Sequence, residues 1–207
     1  GVKLNIIGAK EEARLTLLAI KHALKREKLQ SKNFVLLDIG GGSIEITINI
    51  DELFFTKSFD FGIVTLAQKY ENDVSSLLKY LSNRKIDIEE YIRDLNIDIE
   101  NFEFIATAGT PTTIAAIKHG QNFLNYDKNT INGTVVNMDD VNNCLKIINE
   151  YSAEELNKLL GEDRKNLIKV GVLIYKSVFE GLEKRESIVF DDGLREGVAI
   201  DYGIGKY

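Results

Sequence analysis

The chain has 207 residues, a net charge of −6, 44% hydrophobic and 28% charged residues, and one cysteine, Cys144. These values describe a globular chain long enough for one sizeable core or two small lobes. They exclude an internal disulfide and argue against a DNA or membrane-surface partner. No apolar run approaches the roughly 18 residues of a membrane span, and a reducing cytoplasm is the expected compartment. An acidic chain can still take an anionic substrate through a local nest of backbone N–H groups.

In chain order, Val2–Ile7 reads as a short strand, so the chain looks as if entered partway through a fold. Lys10–Leu29 reads as a helix with Ala13, Leu17, Ile20 and Leu24 on one apolar stripe. Asn33–Ile39 is a continuous apolar strand of the kind buried on both faces. Ser43–Ile50 alternates, with Ile44, Ile46, Ile48 and Ile50 on one face, and Glu52–Phe59 is a third strand after a turn at Asp51. Helical patterns follow Gly62. Phe102–Gly109 is a buried strand running into a helix that Thr110 can cap and Gly120 can end, with Pro111 in its first turn. Asp139 or Asp140 can cap a helix over Val141–Tyr151, and Ser152 with Glu155 makes a capping box for the next. Lys165–Lys184 reads as a long helix, Ser187–Gly193 as a last strand and Gly193–Ile204 as a final helix. Hairpin strands early and βα units later predict an α/β protein with a mixed sheet.

The segment LLDIGGGSIEI, Leu36–Ile46, sets three glycines between two strands. Glycine permits φ > 0 and leaves no side chain between backbone and ligand, so Gly40, Gly41 and Gly42 can direct N–H groups toward phosphate oxygens. Asp38 and Glu45 flank them and would repel phosphate unless a divalent cation such as Mg²⁺ lies between. Ser43 can donate to a phosphate oxygen. By itself the segment also reads as a hairpin turn with solvated acids. Two further strand-to-glycine junctions, ATAGTPTT and DDGLREG, each start a helix and offer its N-terminus to an anion. Three such junctions point to one cleft.

Four segments in this order, IIGAKEEARL, LLDIGGGSIEI, ATAGTPTTIAAI and DDGLREGV, resemble the marker segments of the exopolyphosphatase/guanosine pentaphosphate phosphohydrolase (Ppx/GppA) family, over about Ile6–Gly197. The resemblance implies an actin-like (ribonuclease H-like) fold, a mixed sheet flanked by helices, in the actin, Hsp70 and sugar-kinase superfamily. It also implies two lobes with the active site between them. The family's first phosphate loop has no counterpart here, so residues 1–207 resemble the second, C-terminal lobe, whose partner is its own N-terminal lobe. A homodimer is left open. By position, Glu12 matches the catalytic glutamate that activates water. Asp38, Gly40, Gly41, Gly42, Ser43 and Glu45 match the second phosphate loop and its metal acids. Gly109, Thr110, Thr112 and Thr113 match the segment facing the phosphates, and Gly193, Arg195, Glu196 and Gly197 match a more structural C-terminal signature. Gly8-Ala9 stands where the family has Ser-Gly, and Ile44 where it has Thr.

The expected activity is release of orthophosphate from polyphosphate or from guanosine pentaphosphate, with Mg²⁺ or another divalent cation, and the isolated lobe is expected to be inactive. The competing readings are a kinase-like ATPase of the same superfamily and a non-catalytic module responsive to guanosine tetraphosphate. Without the resemblance, Glu12 reads as a first-turn acid favoured by the helix dipole. Glu11 and Arg14 read as surface or ion-pair residues, Arg195 as a brace for its glycine turn, His22 and His119 as ordinary helix residues, Cys144 as core, and Lys21–Lys28 as a solvated face or a polyanion strip.

Overall fold

The computed structural model describes residues 6–71, 73–162 and 165–204. The expected strand over Val2–Ile7 lies mostly outside them, and Ile6 and Ile7 are not strand. A helix α1 (Ala9–Arg26) precedes strands β1 (Asn33–Ile39), β2 (Ile44–Ile50) and β3 (Leu53–Phe59). Helices α2 (Ile63–Tyr70) and α3 (Val74–Leu95) lead to β4 (Glu103–Thr107) and α4 (Gly109–Lys118). Then come α5 (Lys128–Ile131), β5 (Thr134–Asn137), α6 (Met138–Glu150), α7 (Ala153–Leu160), α8 (Lys165–Gly181), β6 (Glu186–Val189) and α9 (Leu194–Ile204).

The sheet order is β3-β2-β1-β4-β6-β5. β1, β4 and β6 run parallel, and β2, β3 and β5 run antiparallel to their neighbours. Ile44, Ile46 and Ile48 face the larger core, beneath α3 and α8, where Phe104, Tyr175 and Phe179 pack edge to tilted face. On the other face Leu17, Ile20 and Leu24 of α1 cover Phe34, Leu36, Ile105 and Phe190. Both faces are covered, which explains why β2 is buried on both faces from Ile44 to Asn49 rather than half solvated. Thr47 bonds Thr56, and Asn49 Nδ2 donates to the carbonyls of Lys32 and Asp51, while the Asn49 Oδ1 is buried without a partner.

Local corrections have local causes. Asn137, not Asp139 or Asp140, caps α6, accepting from both their N–H groups while Asp140 returns the bond. Ala108, not Thr110, precedes the first turn of α4. β5 was not expected, because four residues are too few for a period to declare itself. The Ser152–Glu155 capping box and the buried Cys144 are as expected. In the basic stretch, Lys21 donates to the Asp51 carbonyl, and Arg26 grips the buried Asp192 at 2.7 Å. That leaves little of it as a polyanion strip.

The parallel topology brings the C-terminal ends of β1, β4 and β6 to one edge, where open α/β sheets form their crevices. α9 closes against the first turns of α1 at Gly197, where a Cβ would lie 2.0 Å from the Leu15 carbonyl oxygen. Gly197→Ala should therefore push these helices apart and cost about 3 kcal/mol, near the upper end of overpacking penalties. Urea unfolding with an unchanged m-value checks this; an unaltered midpoint would contradict the packing described.

Candidate active site

The β1–β2 register sets Asp38 directly opposite Glu45. Glu45 is only 5% exposed, and its Oε1 accepts from the hydroxyls of Ser43 and Ser58, both at 2.7 Å. Asp38 accepts from Thr16 Oγ1 at 3.3 Å. Glu12 lies one turn before Thr16 on α1, whose first turn is capped by backbone alone at Gly8. Burial, then the charges of Glu45 and Glu12, push the Asp38 carboxyl up to about 6. Burial and Glu45 likewise raise Glu12. Three carboxylates thus repel one another in one corner. A cross-strand acid pair with this unrelieved repulsion fits a divalent cation completed by phosphate oxygens and water. Among the described residues no cluster of three or more His, Cys, Asp or Glu side chains forms a ligand set, so Asp38 and Glu45 would be the protein's share.

The glycine loop works differently from expectation. None of Gly40, Gly41 and Gly42 has a positive φ. Gly40 N–H closes the turn on the Ser43 carbonyl at 3.0 Å, and a Cβ on Gly40 would come within 2.9 Å of that oxygen. The carbonyls of Gly40 and Gly41 accept from the N–H groups of Ile63, Val64 and Thr65, so the loop caps α2. Gly62 makes this possible, since a Cβ there would sit 2.5 Å from the Gly41 carbonyl. The N–H groups of Gly41 and Gly42 are left with no acceptor among the described residues, on exposed backbone. Ser43 is committed to Glu45 rather than free to donate to phosphate.

At the second junction Gly109 is exposed at the start of α4. Thr112 Oγ1 donates to the Ala108 and Gly109 carbonyls and Thr113 Oγ1 to Gly109. Thr110 is a correction. It is 1% exposed, its hydroxyl has no partner, and it points at Gly171 of α8, where a Cβ would come within 2.1 Å of Oγ1. Beginning α4 two residues early, after Ala108 rather than Thr110, turns Thr110 from the cleft into the helix interface.

At the third junction Glu196 Oε2 accepts the Gly193 N–H at 3.0 Å. Arg195 does not brace the turn as expected; its side chain is 85% exposed at the cleft. Arg14 and Glu11 are structural, Arg14 bonding both Glu11 and Asp201. The Arg26–Asp192 pair and the bond from Thr107 Oγ1 to the Asp192 carbonyl fix the chain beside them.

These elements enclose a cleft of about 580 Å³. Glu12, Asp38, Gly40, Gly109, Thr112 and Thr113 are among the residues that line it. So are Ile117, Phe123, Tyr126 and Leu159, an apolar part of the lining that the sequence pattern does not mark. Tyr126 shares this lining with Thr112 and Asp191, and burial raises the Asp191 carboxyl. No periodicity marks these aromatics, which stand on the loop after α4; only their density in a polar stretch gives a signal.

The model of the Ppx/GppA phosphatase family matches residues 1–202. Exopolyphosphatase 2 of Mycobacterium tuberculosis is 24% identical over 210 residues, covering 97% of this chain and 64% of that protein. A Ppx/GppA family member from Aquifex aeolicus superposes with a TM-score of 0.78 at 24% identity, over 97% of this chain and 64% of its own. An exopolyphosphatase from Cytophaga hutchinsonii does so with a TM-score of 0.76 at 21% identity, over 96% and 65%. The chain therefore spans just under two thirds of these relatives' length, and the structural likeness establishes the actin-like α/β fold. Among the described residues no helix is long and apolar enough to cross a membrane.

The carboxylate corner has a pH signature. A carboxyl raised to about 6 when folded leaves the native state holding more protons than the unfolded one between about pH 4 and 6. Its contribution to stability is therefore greatest at acid pH and is lost as pH rises through 6. With chelator present, Asp38→Asn should stabilise the protein by about 2 kcal/mol at pH 7.5 and by little at pH 4.5. Denaturant titrations at both pH values check this; destabilisation at pH 7.5 would contradict the repulsion.

Proposed function

Because the chain belongs to the Ppx/GppA phosphatase family, we propose that it is the second, C-terminal actin-like lobe of a hydrolase that releases orthophosphate from phosphoanhydrides. The observation that carries this reading is the convergence of Glu12 with the Asp38–Glu45 pair at the glycine loop. Phosphoanhydride hydrolysis needs charge neutralisation, an in-line water and a base.

Glu12 is the base. Its burial and its neighbours raise its proton affinity, which suits a carboxylate that must take a proton near neutral pH. It orients a water and accepts its proton as the water oxygen bonds to the terminal phosphorus. The bridging P–O bond breaks, and its electron pair leaves with the shortened chain. Gly41, Gly42 and Gly109 N–H groups hold the phosphate oxygens. Asp38 and Glu45 would hold a divalent cation, with Glu45 fixed by Ser43 and Ser58; such a cation would neutralise charge developing on the phosphoryl oxygens. The remaining phosphate contacts come from an N-terminal lobe, which the greater length of the relatives supports.

Inorganic polyphosphate and guanosine pentaphosphate are both admitted. The aromatic side chains of Phe123 and Tyr126 in the cleft lining favour the second reading, since an inorganic chain has no group to stack on them.

Glu12→Gln in the chain extended by its natural upstream sequence should lower kcat for orthophosphate release at least about a hundredfold while the melting temperature holds. Substantial residual turnover would sink the assignment. The 207-residue chain alone is expected to release none; activity in it would overturn the two-lobe reading.

A further inference from the structure

The charged side chains that line the cleft are Glu12, Asp38, Asp191, Arg195 and Glu196. Four are acids, and Arg195 is the one base among the described residues of that lining. A polyanion entering such a space is repelled unless positive charge meets it. Bases beside it on α1 and α5 are already committed. Arg14 bonds Glu11 and Asp201, and Arg26 grips Asp192 with both ends of its guanidinium. Lys128 lies 3.7 Å from Asp192 and from Glu196.

Arg195 is held far more loosely. Its ion pair with Glu196 is 4.0 Å long, and its side chain is 85% exposed. Glu196 is drawn elsewhere: Oε2 accepts the Gly193 N–H at 3.0 Å, and Oε1 faces Lys128 at 3.7 Å. The backbone around Arg195 is fixed by contrast. Thr107 Oγ1 donates to the Asp192 carbonyl at 2.7 Å, and Gly197 is pressed against the Leu15 carbonyl. A fixed backbone under an uncommitted guanidinium suits ligand binding, since less freedom is lost when the contact forms.

We propose that Arg195 is a substrate-binding residue that grips the phosphates beyond the terminal one. The proposal rests on the reading of the cleft as a phosphoanhydride hydrolase site. Asp38 lies near the end of β1, and Arg195 follows β6. β4 runs between these strands, so their ends stand two strand spacings, about 10 Å, apart. The attacked phosphorus belongs with Glu12 and Asp38, and Arg195 meets the part of the substrate that leaves. An inorganic polyphosphate and the triphosphate end of a nucleotide both present phosphates there. The planar guanidinium can donate to two non-bridging oxygens of one phosphate. Those oxygens are charged before the reaction as well as during it, so the contact favours ground state and transition state alike and is read in KM.

The test compares the whole protein, upstream lobe included, as wild type, Arg195→Lys and Arg195→Gln. Orthophosphate release from inorganic tripolyphosphate with Mg²⁺ gives KM and kcat, and the melting temperature is read without ligand. Arg195→Gln should raise KM about tenfold, keep kcat within about twofold and melt with the wild type. Arg195→Lys keeps the charge without the fork and should fall between the two in KM. An unchanged KM, or a loss confined to kcat, would overturn the proposal. So would a lower melting temperature accompanying the higher KM, since Arg195 would then hold its turn rather than the substrate. A wild type that releases no orthophosphate from tripolyphosphate or from guanosine pentaphosphate would instead remove the hydrolase reading itself, and the proposal with it.

Discussion

Asp38 and Glu45 are forced together by a register that the core cannot give up. Sliding β2 by one residue would turn Ile44, Ile46 and Ile48 out of the larger core and bring Glu45 and Thr47 into it. The same hydrophobic constraint that closes the sheet therefore opposes two acids at the end of β1. Ser43 and Ser58 keep Glu45 from swinging away, and α1 adds Glu12 from above. The molecule gives up stability at this corner, and only a cation or a proton relieves it, which is the kind of local conflict expected where function outweighs stability.

Much of this was legible in the sequence, though for partly different reasons. The strands of the first hairpins announce themselves by apolar runs, and the three glycines marked the right turn. Their use is not positive φ, however, but room: α2 rests its first N–H groups on the loop's carbonyls, and Gly62 lets it come that close. That contact joins residues about twenty apart and leaves no local pattern. Thr110 looked like a cap, but Ala108 starts α4 earlier by taking angles no propensity predicts for alanine, and Thr110 turns toward Gly171. Phe123 and Tyr126 escaped because loop residues have no period, and it takes the fold to bring them beside Thr112 and Asp191.

The cleft that results has two characters. Its lining combines carboxylates and free amides at the ends of β1 and β4 with aromatic and aliphatic side chains on the loop after α4 and on α7. Gly197 seats α9 against the α1 turns beside Glu12, so Glu12 is positioned by the C-terminal helix as well as by its own. Arg26 anchors the far end of α1 to Asp192, beside the third junction. The four sequence segments that resemble the family are thus the four pieces of backbone that meet around one space.

The central claim is that the Asp38–Glu45 pair exists to hold a divalent cation. The most direct measurement is the melting temperature at pH 7.5 as Mg²⁺ is titrated into the wild type and into Glu45→Gln. The account predicts a saturable rise in the wild type that is lost in Glu45→Gln, although that variant starts at least as stable. A wild type indifferent to Mg²⁺ and to Mn²⁺, or a variant that responds equally, would contradict it.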